Sequence, residues 1–389
     1  MWRPVIRLRD RAVGLCASFA VVAGSWACTS AAPTAEPASC GAVELLVAAS
    51  DYSSSIVCGA PRCESGPYTS GVDLGKDPQL STSNGRAFFL GRPNDLVFEL
   101  DPSCGTPFKR YSVHEDGAAG TTNPHDVAAA RDQSLFVVLY NVPRIAILKD
   151  GKLDGSIDLS SSSYDEDGNP QADAIRIVTI GGVEKAFVTL ERLDDHDKLR
   201  STRASKMLRI DVATRTVEAT IDLAGRNPFN PMAEQDGALF LAEPGNFDAA
   251  DEPLAGIERF ETATSTTRLL VHEKDLGGSV AEIAVTDGCG AAIVAGPQTG
   301  VNPTSLVTFD PTTGRVLSTA RAPVLGPTAG YDLQGLAWRD GSLFVGDRRS
   351  AGSGYRVHVF DRDPGTCILH ENARTIDLPQ RPVAIRAAR

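Results

Sequence analysis

Apolar and polar positions alternate along this chain in short runs, and Gly, Asp and Asn separate one run from the next. Runs rich in Val, Ile and Phe between such turn residues predict β-strands joined by hairpins. Beyond residue 42, no stretch repeats apolar residues every 3.6 positions over several turns, so few helices are expected. The pattern predicts an all-β protein.

The predicted strands recur in groups of four at a period of about 40–50 residues. Each group has a strand of small residues, an Asp-Gly or Asn-Gly type turn, a strand resembling Leu-Phe-Val, a third strand ending in Asp and a last strand resembling Thr-Ile-Asp-Leu. Four-stranded units at this period are typical of β-propeller blades. The six groups begin near Asp77, Asn123, Gln171, Asn227, Ser279 and Tyr331.

The two ends of the chain carry strands that have no partners within these six groups. Residues 382–386 predict one C-terminal strand, and the N-terminal side predicts three, at 44–49, 54–58 and 68–74. Joined, they would form a seventh blade with the C-terminal strand innermost, which removes an exposed sheet edge. We therefore predict a seven-bladed β-propeller over 43–389. Six or eight blades are alternatives, and two stacked β-sandwiches would leave the matching end strands unexplained.

Three segments carry a resemblance to a known family: SLFVVLYN, MLRIDVATRTVEATIDL and LVTFDPTTGRVLSTA. They resemble the YVTN-type repeats of surface and periplasmic seven-bladed propellers, which are related to quinoprotein amine dehydrogenase-like folds. The resemblance covers 43–389 and implies a fold rather than a reaction, since family members include binding proteins, lactonases and many of unassigned role. No active-site motif of the family is matched, so no catalytic residue is carried over.

Residues 1–27 are predicted to be a secretory signal peptide. Four arginines precede an apolar stretch, 12–27, that ends in small residues. A membrane anchor is the alternative, but Gly and Ser interrupt the stretch and it falls short of the ~20 residues of a spanning helix. The chain is accordingly expected to be exported.

Cleavage before Cys28 would expose a cysteine for lipidation, and the Pro/Ala/Ser-rich segment 28–42 would act as a tether. This N-terminus resembles that of bacterial lipoproteins, although Ser25 and Trp26 depart from the usual lipobox. Cleavage after Ala27 by an ordinary signal peptidase is the alternative. We expect a periplasmic or cell-surface monomer that contacts a membrane only through its lipid anchor.

Composition narrows the expected partners. Hydrophobic residues make up 42% of the chain, enough for a folded core, and the net charge of −11 argues against a nucleic-acid partner. An even number of cysteines beyond Cys28 predicts disulfides in an exported protein. Cys58–Cys63 is the best local pair, and a zinc site is disfavoured because no Cys-x-x-Cys pair occurs. These six cysteines are Cys40, Cys58, Cys63, Cys104, Cys289 and Cys367.

Polar residues stand at the start of the innermost strand of each predicted blade, where the strands would rim one mouth of the central channel. Loops and strand ends converge on such a mouth, which favours ligand binding there. The predicted carboxylates would attract a cation such as calcium or a polar cationic ligand, whereas the alternative is that these groups only hold water. The positions are Gln79, Asp126, Asp173, Asn230, Glu282, Gln334 and Arg381.

Two smaller patterns bear on chemistry. His125 adjoins Asp126 at the predicted mouth, so it is the histidine best placed to act as a general base or a ligand. Asp165, Asp167 and Asn169 alternate as oxygen ligands do in calcium loops, but the following glycine and glutamate positions do not fit, and an exposed loop between blades is the alternative. Nucleophile-elbow, phosphate-loop and dinucleotide motifs are absent from the sequence.

The sequence therefore predicts an envelope-associated binding or interaction module for an unidentified small molecule or protein. No cofactor is predicted, with calcium as the one candidate ion. An enzyme of lactonase or quinoprotein type is the alternative, working at the same mouth with His125, Asp126 and Asp173 as acid, base or metal ligands. A purely architectural scaffold is a third class.

Overall fold

Antiparallel strands form seven separate sheets in the computed structural model. The structure describes residues 43–61, 63, 74–114, 120–247, 252–296, 302–352 and 354–388. The predicted signal peptide, Cys28 and the tether lie outside the described residues, and so does the predicted strand 68–74 except for Leu74.

The elements follow the predicted hairpin pattern. One short helix, α1 (Glu273–Leu276), and a 3-10 turn over Arg92–Asn94 accompany the strands. The strands are β1 (Leu45–Ser50), β2 (Ser55–Ala60), β3 (Pro78–Ser83), β4 (Arg86–Gly91), β5 (Leu96–Asp101), β6 (Thr106–Ser112), β7 (Pro124–Ala129), β8 (Leu135–Leu139), β9 (Arg144–Lys149), β10 (Lys152–Asp158), β11 (Ala172–Ile180), β12 (Val183–Leu190), β13 (Lys206–Asp211), β14 (Thr216–Asp222), β15 (Phe229–Gln235), β16 (Ala238–Glu243), β17 (Gly256–Glu261), β18 (Thr266–His272), β19 (Ser279–Thr286), β20 (Cys289–Ala295), β21 (Thr304–Phe309), β22 (Leu333–Arg339), β23 (Ser342–Ala351), β24 (Gly354–Arg362), β25 (Leu369–Leu378) and β26 (Pro382–Ala387).

Each sheet is one blade, and the blades follow the chain around a ring. Blades 1 to 4 are β3–β6, β7–β10, β11–β14 and β15–β18; blade 5 is β19–β21, blade 6 is β22–β25, and blade 7 joins β1 and β2 to β26. The innermost strand of every blade packs against that of the next, and β26 packs against both β22 and β3, which closes the ring. The prediction of a seven-bladed propeller is confirmed.

The ring closes as predicted, with the C-terminal strand completing the blade that the N-terminal strands begin. Strand β26 pairs antiparallel with β1, with Val47 opposite Ile385, so the C-terminal strand is the innermost member of blade 7. From blade 6, Nη1 of Arg339 donates to the backbone carbonyls of Glu44 (2.7 Å) and Val43 (3.2 Å), and also to that of Ala388. One side chain thereby holds both ends of the described chain.

Apolar side chains fill every space between blades. Seven clusters of buried hydrophobic residues occur, and each is shared by two neighbouring blades. Phe136, Phe187 and Phe240, for example, are almost fully buried in three different clusters. Because both faces of a blade are covered, its central strands are apolar at successive positions instead of alternating. Burial of these faces stabilises the ring.

Blade 5 departs from the prediction of four strands. The segment RVLSTA, residues 315–320, makes only isolated bridges in the structure, Phe309 with Val316 and Thr319 with Ala322. Pro323 and Pro327 follow closely, and proline has no amide hydrogen to donate to a strand ladder. The prediction of a regular fourth strand here was wrong.

Two disulfides occur among the described cysteines. Cys58–Cys63 confirms the predicted local pair. Cys289–Cys367 spans 78 residues and links blade 5 to the loop before β25 in blade 6, a pairing that the sequence left open. Disulfides of this kind are consistent with an exported protein. Among the described helices, none has the length and apolar character needed to cross a membrane.

Candidate functional site

The innermost strands begin at one opening of the central channel, here named the first mouth, and end toward the other, the second mouth. Six of these strands carry a register shift near their start, for example between Pro124 and Asp126 on β7. A bulge of this kind turns a side chain away from the regular pleat. The predicted residues at the first mouth therefore do not all face the channel in the same way.

Asp126 is fully buried, and its hydrogen bonds link blade 2 to blades 1 and 3. Its Oδ2 accepts from the backbone N–H of Ile175 (3.0 Å) and from Nη1 of Arg176 (2.9 Å), both on blade 3. Its Oδ1 accepts from the hydroxyl of Ser81 on blade 1. Burial raises the pKa of Asp126, and the positive charge of Arg176 opposes that rise. Both carboxylate oxygens are already engaged by the protein.

Glu282 plays the same part between blades 5 and 6. Its two oxygens accept from the backbone N–H groups of Gly335 (2.7 Å) and Leu336 (3.0 Å) on β22. Nη1 of Arg386 on β26 lies 3.8 Å from Oε1 of Glu282. Burial raises the pKa of Glu282, and the charge of Arg386 opposes that rise. Like Asp126, this carboxylate joins neighbouring innermost strands.

Gln79 and Asn230 meet across the ring. Nε2 of Gln79 on blade 1 lies 3.5 Å from Oδ1 of Asn230 on blade 4, although these blades are not neighbours. Nδ2 of Asn230 also donates to the carbonyl of Ala281 on blade 5 at 2.9 Å. The contact between the two amides spans the channel near the first mouth.

His125 and Asp173 form the closest titratable pair among the predicted residues. Nδ1 of His125 lies 2.7 Å from Oδ1 of Asp173, and the imidazole stacks on the ring of Tyr140 with centroids 4.1 Å apart. Burial lowers the pKa of His125, and the positive charge of Arg92 adds to this effect. Because a carboxylate only accepts, Nδ1 donates, and Nε2 of the neutral ring is left as an acceptor. Nε2 is buried and has no hydrogen-bond partner among the described residues.

Further polar groups, which the repeat pattern did not identify as site residues, lie around this pair. The hydroxyl of Tyr140 donates to Oε2 of Glu191 at 2.6 Å. Burial and the nearby charge of Asp173 raise the pKa of Glu191 well above its ordinary value. Arg92 pairs with Asp77 at 2.7 Å on the same side of blade 1. These residues follow the ends of second strands or precede first strands, positions that the repeat comparison did not sample.

The two remaining predicted residues lie near blades 6 and 7. Oε1 of Gln334 accepts from Nη1 of Arg348 at 2.9 Å, and Nη2 of Arg348 donates to the hydroxyl of Tyr52 at 2.9 Å. The guanidinium of Arg381 lies 5.8 Å from the ring centroid of Tyr355. The structure brings neither Gln334 nor Arg381 into contact with the His125–Asp173 pair.

A cavity of about 330 Å³ occupies the channel on the side of the second mouth. The later residues of six innermost strands line it, so Glu282 is the one predicted residue on its wall. Both charged and apolar side chains contribute, and its main charged residues are Arg176, Glu282 and Arg386, with Glu234 at an exposed position. The apolar part of the wall includes Met232, Ile283, Val285, Leu336 and Trp338.

Arg176 and Arg386 come from opposite parts of the chain and share this cavity. Each side chain is 13% exposed. Burial lowers the pKa of Arg386, and the like charge of Arg176 adds to this effect while Glu282 opposes it. The two guanidinium groups influence each other's charge at this depth, and each also has a carboxylate nearby that is bound by backbone amides.

The predicted calcium loop has a different set of contacts. Asp165 is fully buried and lies 2.5 Å from Nη2 of Arg203 and 3.7 Å from Nε of Arg192. Oδ1 of Asp167 accepts from the backbone N–H of Asn169. Over the described ranges, no group of three or more His, Cys, Asp or Glu side chains is placed to hold a metal ion. Calcium stays a prediction to which this geometry adds no support.

Comparison with known proteins supports the fold. No family model matches the chain, and no curated protein matches it. Among solved structures, a putative 6-phosphogluconolactonase from Bacteroides uniformis is similar at 13% identity and a TM-score of 0.56, over 89% of this chain and 99% of the other.

Two further structures have similar scores. Kuenenia stuttgartiensis hydrazine synthase is 14% identical with a TM-score of 0.53, over 76% of this chain and 80% of that one. A catalytically inactive virginiamycin B lyase from Staphylococcus aureus with quinupristin is 11% identical with a TM-score of 0.52, over 79% and 87%. At these identities the similarity shows the propeller fold alone.

Proposed function

We propose that this protein is an exported, envelope-associated β-propeller that binds a ligand in its central channel. The observation that carries the proposal is the cavity of about 330 Å³, whose wall combines buried charged groups with apolar side chains. Ligand sites of proteins are concave and use placed polar groups to fix the orientation of the ligand, and this volume lies at the small end of their range. Seven apolar interfaces between blades give the cavity a rigid frame.

The proposed location rests on the N-terminal sequence and on the disulfides. Residues 1–27 would direct export, Cys28 would carry the lipid, and 28–42 would link the anchor to the propeller. A single acyl chain binds membranes weakly, so a stable anchor requires multiple acylation. The resemblance to YVTN-type repeats of surface and periplasmic propellers supports the same location.

Ligand-observed NMR with a fragment library tests the proposal. Ala284 lines the cavity, so Ala284→Leu would fill part of it, whereas Ala263 lies on an exposed turn of blade 4 and Ala263→Leu is the matched control. We expect a set of fragments to bind the native protein and Ala263→Leu but to bind Ala284→Leu at least several-fold more weakly. Equal binding to all three proteins would refute a ligand site in the channel.

A second candidate function is supported by the His125–Asp173 pair. A neutral imidazole with a carboxylate on Nδ1 and an unpartnered Nε2 is the arrangement of a general base. We propose, as the alternative, an enzyme of lactonase or quinoprotein type at the first mouth, with His125 as the base and Asp173 as the residue that orients it. Asp126 is less suited to such a role because the protein already occupies both of its oxygens.

The enzyme proposal is tested by hydrolysis of simple lactones, followed by acid release at constant pH. His125→Gln should abolish turnover, while His196→Gln, a change on an exposed loop, should leave it intact. Turnover that survives His125→Gln, or no turnover of lactones by the native protein, would remove the lactonase form of this alternative.

A further inference from the structure

We infer that the channel cavity binds a small organic anion, a carboxylate with an apolar body, and that Arg176 and Arg386 hold its charged end. This inference rests on the proposed function, because it specifies the ligand class of the same cavity. It concerns two residues that the repeat comparison did not identify.

Both arginines are the last residue of the same tripeptide. Ala-Ile-Arg occurs at 174–176 on β11 and again at 384–386 on β26. In each copy, Nη1 of the arginine donates to the carbonyl of the preceding isoleucine, Ile175 or Ile385, at 2.7 Å. Two innermost strands from blades 3 and 7 thus present a guanidinium to the channel in the same local geometry.

The described residues leave several guanidinium donors on the cavity wall without partners. Beyond Nη1, the guanidinium nitrogens of Arg176 and Arg386 have no hydrogen-bond partner within the part of the chain that the structure describes. The nearby carboxylates, Asp126 and Glu282, accept from backbone N–H groups of the following blade. A ligand that supplies acceptors is therefore favoured, and charge-assisted hydrogen bonds to arginine are strongest with carboxylate-like groups.

The carboxylates near the two arginines limit the ligand to a single negative charge. Each arginine has one carboxylate close by, at 2.9 Å for Arg176 with Asp126 and at 3.8 Å for Arg386 with Glu282. A single negative group between the two guanidiniums would relieve their mutual repulsion without adding much repulsion from the occupied carboxylates. A polyanion would meet Asp126, Glu282 and, toward the second mouth, Glu234.

The rest of the cavity wall indicates the chemical character of the ligand behind its charged end. Met232, Ile283, Val285 and Leu336 are apolar, and the N–H of the Trp338 indole is already occupied, because it donates to the carbonyl of Ala284 on the same wall at 3.2 Å. Apolar atoms of a ligand would be removed from water against these side chains, which is favourable. An apolar chain or ring behind the carboxylate fits this surface.

A fragment set with matched head groups provides the test. Each skeleton is supplied as the carboxylate, the primary amide and the amine, for example 4-phenylbutyrate, 4-phenylbutyramide and 4-phenylbutylamine, and binding to the full protein is measured by ligand-observed NMR. We expect carboxylates to bind about tenfold more tightly than their amides. Arg386→Gln and Arg176→Gln should remove that preference while leaving the affinity of the amides almost unchanged.

The variants make the outcome decisive. Arg386→Lys keeps the positive charge and a long side chain but loses the forked donors of the guanidinium. It should therefore retain part of the preference for carboxylates over amides even if Arg386→Gln fails to fold. If amides or amines bind in the channel as tightly as carboxylates, the anion inference fails and the channel proposal stands. If binding of every class is indifferent to Ala284→Leu, both fail. Carboxylate binding that persists in the Gln variants would also overturn the inference.

Discussion

His125 on blade 2 and Asp173 on blade 3 meet with Nδ1 and Oδ1 2.7 Å apart, under the ring of Tyr140. The two residues lie 48 positions apart in the sequence, about one repeat, and only the packing of neighbouring innermost strands brings them together. The geometry of the pair therefore depends on how blades 2 and 3 pack, and the same pair determines the acid–base properties of the first mouth.

The first prediction concerns the protonation of this histidine. At pH 7 we expect His125 to be neutral with its proton on Nδ1, because burial lowers its pKa and the carboxylate accepts from Nδ1. Two-bond ¹H–¹⁵N correlation spectra measure this directly, and the exposed His196 serves as the reference within the same protein. A charged imidazolium at pH 7 would contradict the prediction.

The same shift has a consequence for stability. An unfolded histidine takes up a proton near pH 6.5, whereas folded His125 does so only at a lower pH. As pH falls through that window the unfolded state binds more protons, so this site lowers the free energy of unfolding. His125→Gln should flatten this part of the dependence of the melting temperature on pH.

The second prediction has the opposite sign and concerns His358 on β24. Burial opposes its charge, but hydrogen bonds to Asp347 (2.9 Å) and Glu371 (2.8 Å) outweigh burial, so the pKa of His358 is raised. The stabilisation is fully present below about pH 6.5 and is lost as pH rises through the folded pKa.

His358→Gln should therefore destabilise the protein by about 1–3 kcal/mol at pH 5.5, as expected for hydrogen bonds to charged groups. The loss should be smaller at pH 8.5. Urea unfolding at the two pH values measures the difference, and His370→Gln, at an exposed position, is the control. An equal loss at both pH values would show that the charge of His358 contributes nothing.

The third prediction concerns two buried carboxyl groups in blade 4. Glu243 is fully buried, and neither of its oxygens has a hydrogen-bond partner among the described residues. Glu258 accepts from the backbone N–H of Gly225 at 2.7 Å and from the hydroxyl of Thr267. Burial, together with the charge of Glu258, raises the pKa of Glu243 well above its ordinary value, so Glu243 retains its proton.

Glu243→Gln should accordingly match the native protein near pH 4.5 and exceed its stability at pH 8. The native protein loses stability as pH rises above the unfolded pKa, because folded Glu243 resists ionisation, and glutamine does not ionise. Denaturant unfolding across this range checks whether the two stability curves diverge as pH rises. Glu258→Gln should instead destabilise the protein, because Gly225 and Thr267 each donate to a different oxygen of Glu258 and glutamine keeps only one acceptor oxygen. Lower stability of Glu243→Gln at pH 8 would refute the assignment.

The fourth prediction compares the two disulfides. Replacing both Cys289 and Cys367 by alanine should cost about 4–5 kcal/mol by the loop-entropy relation, against about 2 kcal/mol for Cys58 with Cys63, because the loops span 78 and 5 residues. Thermal unfolding of the two double variants measures this order. A reversed order would show that Cys289–Cys367 contributes little constraint between blades 5 and 6.

The repeat and its turn residues predicted most of the fold, since each blade depends on local hairpins that the sequence marks clearly. The end strands predicted the closure because six complete groups leave one strand over at one end and several at the other. The irregular edge of blade 5 was not foreseen. Its apolar residues, such as Val316 and Leu317, fit a strand pattern. The effect of Pro323 is on hydrogen bonding to a neighbouring strand, which the pattern of apolar residues does not report.

The candidate site could be predicted only in part. Selecting the first residues of innermost strands placed His125 and Asp173 at one mouth, but the sequence could not show that Asp126 and Glu282 bind backbone amides, because bulges decide where those side chains point. Arg176 and Arg386 were missed since they lie deeper in their strands. The repeated Ala-Ile-Arg tripeptide was the available indication.

Closure by β26 also constrains when the molecule can exist in its final form. Strand β26, which completes blade 7, comes after all the strands of the other six blades in the chain, so the ring stays open between blade 6 and blade 1 until β26 has been made. During that interval, the apolar faces beside the gap and the free edge of β1 are open to other chains. Loss of β26 would thus leave a molecule prone to self-association, rather than a slightly shorter propeller.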